Sequence, residues 1–248
     1  MSLEGKTAFV TGATGGIGVP LCQKLEALQI KVIRHNRSEH GDLLGDLDKT
    51  CQTLQDLGPD ILINLAGLND FAVAEKQNYD LLVRLNLMVP MQLCQAVLPL
   101  MKNRGNGQLV TVGSMTGLIP LPHITGYVAA KAGLKAFSEA LRRELHDTGV
   151  HVTHLAPRAV KTTMNQGVAD TVNQRTKTNY DLPEMVAQRM VQAIESRKAE
   201  VRFGLPERFF ASLNFLAPAM IDKGLASHTE IGRQELKRHP AAIIDPSS

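Results

Sequence analysis

Tyr127-Val128-Ala129-Ala130-Lys131 sets a phenol and an ammonium four residues apart, and Ser114 precedes the tyrosine by thirteen positions in an apolar, glycine-containing loop. On a helix, residues at i and i+4 project from one face about one turn apart. An ammonium there favours phenolate over phenol and draws the tyrosine pKa down from about 10 toward the working pH. A hydroxyl at the same oxygen can orient and stabilise it. The chemistry expected is proton transfer by Tyr127. The spacing alone is common on solvated helices, so its meaning rests on the elements around it.

Those elements alternate. Thr7 to Val10 reads as a strand and Val19 to Leu28 as a helix; Lys31 to Ile33 and Asp60 to Ile63 read as strands. Tyr79 to Met101 is a long helix, Gln108 to Val112 a strand, Tyr127 to His146 a helix and Val150 to Leu155 a strand. Short apolar strands alternating with amphipathic helices predict an α/β fold, a single-domain doubly wound parallel sheet with helices on both faces. Ligands in such sheets sit beyond the carboxyl ends of the strands. Residues 163–180 are polar and aperiodic and read as a lid loop. Leu182-Pro183-Glu184 opens a helix, and residues 233–248 read as a loose tail. No internal repeat or second domain is visible in residues 1–248.

Between the first strand and helix stands Thr11-Gly12-Ala13-Thr14-Gly15-Gly16-Ile17-Gly18. Glycines in this βα setting let backbone N–H groups approach a pyrophosphate at a helix N-terminus. Gly12, Gly16 and Gly18 give a GxxxGxG spacing, and Gly12, Gly15 and Gly18 also fit GxxGxxG.

At 248 residues the chain can bury one full core. Its 44% hydrophobic and 21% charged residues argue against extended disorder. A net charge of +3 without a Lys/Arg block gives no nucleic-acid signature. Cys22, Cys51 and Cys94 are scattered, as reduced thiols of a cytoplasmic protein would be. The run from Met1 into the first strand leaves no room for a signal sequence, and no window reaches the roughly 18 apolar residues of a membrane span. His151 and His154 point to opposite faces of a strand and make no metal site.

With Ser114, Tyr127, Lys131 and the glycine turn in order, the chain resembles the short-chain dehydrogenase/reductase family from about Lys6 to Thr162. Asn64-Leu65-Ala66-Gly67 looks like its NxAG segment near the adenosine side of the cofactor. Ala156-Pro157-Arg158-Ala159-Val160-Lys161-Thr162 resembles the segment closing over the nicotinamide. With only about 85 residues after Thr162, the chain resembles the compact, single-domain branch rather than the extended branch that includes epimerases. The resemblance implies a Rossmann-type fold, a dimer or tetramer, and an enzyme that interconverts a carbonyl and an alcohol with a nicotinamide cofactor. Tyr127 would supply the proton and Ser114 would orient the oxygen. Lys131 would lower the Tyr pKa and bind the ribose, and Asn86 would link Lys131 through water to solvent. Gly12, Thr14, Gly15, Gly16, Ile17 and Gly18, with Asn64, Ala66, Gly67, Pro157, Val160 and Thr162, would hold the cofactor beside Tyr127 and Lys131. Asp46, opening a short strand, and Leu47 would face the adenine.

Two departures stand out. Arg158 replaces a common glycine, and its side chain has three readings: a cofactor phosphate, an acidic substrate or solvent. Between Asn36 and Asp46, ten residues with two glycines cannot hold a helix of normal length, so the adenine side is expected to be open. Arg34-His35-Asn36-Arg37 ends the second strand without a carboxylate, which favours NADP(H), with Arg37 on the 2′-phosphate; NAD(H) stays possible.

Met115, Leu118, Ile119, Leu121 and Ile124 would give the substrate an apolar wall. In segment 203–223, positions 209, 210, 213, 216, 217 and 220 form one helical stripe. That stripe reads as a helix packed on the core or on a subunit, a hydrophobic substrate channel, or a membrane-surface helix. The leading expectation is a carbonyl reductase for a lipophilic substrate. A non-catalytic cofactor-binding protein and an epimerase or dehydratase retaining NAD stay as alternatives.

Overall fold

The computed structural model describes residues 3–239. In chain order the elements are β1 (Thr7–Thr11), α1 (Gly18–Ala27), β2 (Lys31–Arg34), α2 (Arg37–His40), α3 (Leu47–Leu57), β3 (Ile61–Asn64), α4 (Tyr79–Val83), α5 (Val89–Asn103), β4 (Gly107–Val112) and α6 (Thr125–Glu144). Then come β5 (Val150–Ala156), α7 (Val168–Arg175), α8 (Pro183–Glu195), β6 (Glu200–Arg202), α9 (Leu205–Leu216) and α10 (Pro218–Arg238). The six strands form one parallel sheet in the order β2-β1-β3-β4-β5-β6. Strand order reverses between β1 and β3, so the crevice opens beyond their carboxyl ends.

Period-two alternation sorts the strands between two cores. Ala8, Val10, Ile61 and Ile63 pack with Leu21 of α1 and Met190 of α8. Phe9, Leu62 and Leu109 pack on the other face with Leu54 of α3, Leu93 of α5 and Leu141 of α6.

The long helix from Tyr79 widens into a π turn at Arg84–Met88 before continuing as α5. Pro90 explains the widening. It stands four residues beyond Asn86 and has no N–H for the Asn86 carbonyl, so the α-helical hydrogen bond there cannot form. Tyr79–Asn103 is also long and apolar enough to cross a membrane by length and composition, contrary to the sequence expectation. Half of its apolar window is buried, with α5 packed on α3 and β4, as a core helix requires.

Four further expectations are corrected. Segment 163–180 is not a structureless loop: Ala169 and Val172 bury one face of α7, and the Tyr180 hydroxyl accepts from Asn173 and donates to Asp170. The tail of 233–248 is helical through Arg238, with Leu236 buried and the buried Glu235 carboxylate paired to Arg175 at 2.5 Å; residues 240–248 lie outside the described residues. Asp46 opens no strand but N-caps α3, its carboxylate accepting from the Lys49 backbone N–H at 3.4 Å. The stripe of 203–223 is broken at Ala217–Pro218 into α9 and α10, and most of it faces outward.

Phe203 is fully buried beneath the Arg189 guanidinium, whereas Phe215 is 86% exposed. Phe203→Ala should therefore lower the unfolding free energy by about 3–5 kcal/mol and Phe215→Ala by less than about 0.5 kcal/mol in urea titrations.

Candidate active site

The crevice begins at the glycine turn. Gly12 adopts φ +68°, and a Cβ there would stand 2.7 Å from the Ala66 nitrogen, so only glycine lets the turn lie against the chain after β3. Thr11 ties the two together: its Oγ1 accepts from the backbone N–H groups of Leu65 and Ala66, both at 3.1 Å. Helix α1 starts behind this turn with no side-chain cap and no acid in its first turn. Of its first N–H groups, Val19 already donates to the Gly15 carbonyl at 3.1 Å and Pro20 has none, which leaves Gly18 and the turn before it to meet a phosphate.

At the other end, β4 delivers Ser114 and α6 delivers Tyr127 and Lys131 to one cavity of about 480 Å³. The Ser114 Oγ accepts from the Thr116 N–H at 3.1 Å and the Thr116 hydroxyl at 2.9 Å. With its lone pairs taken, its own proton is what it can offer to a group in the cavity. Lys131 is 4% exposed; its Nζ donates to the Val112 carbonyl at 2.9 Å and lies 5.4 Å from the Tyr127 ring centroid. Burial draws the ammonium down to about 8.

The Tyr127 expectation is reversed. Burial pushes the phenol up to about 12, the Ser114 hydrogen bond pulling against it, and the neighbouring ammonium does not overcome that desolvation. Tyr127 therefore stands protonated, as an acid rather than a base.

Asn86, fully buried in the π turn, donates from Nδ2 to the Leu68 and Leu82 carbonyls, both at 2.9 Å. Its Oδ1 has no protein partner and points at Gly67, where a Cβ would lie 2.6 Å from Oδ1 and 3.4 Å from the Lys131 Nζ. An acceptor thus faces the ammonium across a glycine.

Gly12, Gly16, Ile17, Gly18, Gly67, Pro157, Val160 and Thr162 line the cavity with Ser114, Tyr127 and Lys131. Thr14 and Gly15 are exposed on the turn beside it. The Asn64 side chain turns away into the core, donating to the Cys94 Sγ at 3.4 Å, and Ala66 and Leu47 pack on the α3/α5 side. Asp46 is held by its capping role. Arg37 is 68% exposed beyond β2 in a 3.4 Å pair with Asp42, while Arg34 is taken up by Glu26 at 2.8 Å. α2 is a single turn, so this side is open as expected.

Arg158 is not turned to solvent. It reaches from the cavity wall to Asp181 at 2.7 Å and Glu207 at 3.1 Å, clipping the start of α8 and α9 to the end of β5. No local signal announces this clip, nor the contribution of Leu225 and His228 from α10 to the cavity; Phe210 from α9 lines it as well, from the stripe whose readings included a substrate channel. With Ile119, Leu121 and Ile124, Phe210 and Leu225 give that wall an apolar lining beside His228.

Residues 45–173 match the family described as short chain dehydrogenase. Among relatives, the chain is 31% identical to the ketoacyl reductase HetN of Nostoc sp., over 81% of this chain and 79% of that one. It is 32% identical to the 3-oxoacyl-[acyl-carrier-protein] reductase FabG of Vibrio cholerae, over 74% of this chain and 84% of that one. Among solved structures, a short chain dehydrogenase from Burkholderia cenocepacia in complex with NADP superposes with a TM-score of 0.77 at 21% identity, covering 91% of this chain and 99% of that one. The 3-ketoacyl-(acyl-carrier-protein) reductase of Brucella melitensis complexed with NADH gives 0.69 at 23% identity, covering 81% and 95%.

The buried ammonium carries a stability signature. Below about pH 8 Lys131 is protonated in both folded and unfolded chains; between about 8 and its ordinary 10.5 the unfolded chain binds the extra proton, so stability rises with pH. Lys131→Met lacks this slope. Its stability advantage over the parent should shrink by on the order of 3 kcal/mol from pH 8 to 10.5 in urea titrations, and a pH-independent difference would contradict the burial of the charge.

Proposed function

Because this chain belongs to the short-chain dehydrogenase/reductase family, as an NAD(P)-dependent dehydrogenase/reductase, we propose that it reduces a ketone or aldehyde on a hydrophobic substrate with NADPH. The observation that carries the reading is the convergence of Ser114, Tyr127 and Lys131 on one cavity whose opposite end is a glycine turn at an uncapped helix N-terminus. The turn and α1 would hold the pyrophosphate, and Lys131 the nicotinamide ribose. When bound, the dinucleotide supplies the hydride.

The chain's own groups handle the oxygen. The Tyr127 hydroxyl, kept protonated by burial, donates to the carbonyl oxygen as charge develops there. Ser114 donates a second hydrogen bond to the same atom, already oriented by Thr116. The Lys131 ammonium stabilises the phenolate left behind, and the free acceptor of Asn86 supports a water that would resupply the proton. The apolar far wall and the ketoacyl reductase relatives support an acyl-chain ketone. Three free cysteines, two of them buried, support a reducing, cytoplasmic setting for this single-domain enzyme.

NADPH is favoured over NADH because no carboxylate ends β2, while Arg37 stands exposed there and is held only by Asp42. Arg37→Ala should raise KM for NADPH about tenfold or more while leaving NADH turnover unchanged; an equal effect on both cofactors would remove Arg37 from the phosphate. For the chemistry, Tyr127→Phe should cut ketone reduction by about 10²–10⁴ in kcat with NADPH still bound, read at the nicotinamide absorbance and by fluorescence titration. Undiminished turnover would sink the mechanism.

A further inference from the structure

Helix α9 is turned inside out. Ala211 is its single residue classed as buried, while Leu205, Phe209 and Leu216 fall on one outward stripe, 78% and 77% exposed at its two ends. Phe215 and Met220 project where α9 meets α10 at Ala217–Pro218. At the ~150–250 Å² an aromatic side chain can cover, these side chains amount to several hundred Å² of apolar surface, more than isolated soluble proteins commonly leave in one place. No charged residue occurs from Phe209 to Ile221.

We propose that the α9–α10 corner docks on a phospholipid bilayer, with Phe215, Leu216 and Met220 sunk among the acyl chains and the cavity mouth facing the membrane. Three observations favour this occupant over a second copy of the chain. The corner is convex, Phe215 being the most exposed of its large apolar side chains, a shape suited to insertion rather than to a flat self-complementary contact. Its rim is cationic: exposed Arg208 and Lys223 have no ion pair among the described residues, against one such acid, Asp222, because Glu207 is tied to Arg158. Anionic headgroups complement that rim. Finally, Pro206 and Phe210 from the first half of α9 line the active-site cavity, so a second copy seated along this helix would cover that side of it, whereas a bilayer would extend it into an apolar phase. Delivery of substrate from the bilayer rests on the carbonyl reductase reading; the docking itself does not.

The test is co-sedimentation of the full-length chain with sucrose-loaded vesicles of phosphatidylcholine, with and without phosphatidylglycerol. Parallel measurements are sedimentation velocity without vesicles and NADPH-dependent turnover of a small water-soluble ketone. The parent should bind phosphatidylglycerol vesicles about tenfold better than phosphatidylcholine alone and release at high salt. The double variant Phe215→Ser/Leu216→Ser should lose at least about tenfold of that binding with soluble-ketone turnover unchanged. A parent that stays in the supernatant with both vesicles, or a variant that binds as well as the parent, overturns the docking. A parent dimer that the double variant converts to monomer, without vesicle binding, assigns the face to a second copy instead. Intact vesicle binding without ketone turnover supports the docking and overturns the reductase reading.

Discussion

A nearly inaccessible ammonium organises this molecule. Lys131 has one carbonyl partner, that of Val112, and burial brings it down to about 8. Keeping a charge there requires polar atoms from several elements at close range, because an unpaired buried cation is among the costliest features a fold can carry. Residue 67 must be glycine-sized for Asn86 and Lys131 to approach each other, and Asn86 reaches that point because Pro90 forces a π turn four residues before it. A proline, a glycine and an asparagine from separate segments thus serve one charge. The same dry surroundings keep Tyr127 protonated, which fits it to donate a proton to a substrate oxygen.

The second constraint is the shortened link after β2. With α2 reduced to one turn, β2 is left at the sheet edge and the chain reaches α3 directly, Asp46 closing the connection as a helix cap. On that side of the crevice only this one turn of helix lies between the end of β2 and α3. At the opposite end more of the chain surrounds the cavity. Arg158 clips the starts of α8 and α9 to the end of β5, and α10 adds Leu225 and His228 to the wall. The chain adds most to the crevice at the end that Phe210, Leu225 and His228 line.

That enclosure leaves α9 with its apolar side chains outward. A helix whose largest side chains are exposed gains little from its own packing, and α9 is held in place by the Arg158–Glu207 pair at its start, by Ala211 packed with Met115 and Ala156, and by Asn214 Nδ2 donating to the Leu118 carbonyl at 3.1 Å. Its side chains are thereby presented rather than buried.

The sheet, the glycine turn and the Ser114, Tyr127 and Lys131 positions were legible in the amino-acid sequence alone. Each depends on local rules: period-two strands, period-3.6 helices, glycines where backbone must pass close, and a fixed separation along one helix. The helix α7 escaped because only Val168, Ala169 and Val172 mark it in a polar run, and the last turns of the final helix because beyond Ile221 its buried residues are just Gly232, Glu235 and Leu236. The roles of Arg158, Asp46 and Asn64 escaped for a different reason. Arg158 is paired with residues 23 and 49 positions away, and nothing near it in the chain encodes those partners. The same holds for the direction of the Tyr127 shift. What the sequence determined by itself was which groups would meet along a turn, strand or helix; only the tertiary structure decided their charge state, pairing and exposure, because desolvation and ion pairing sum over everything nearby in space, whatever its distance along the chain.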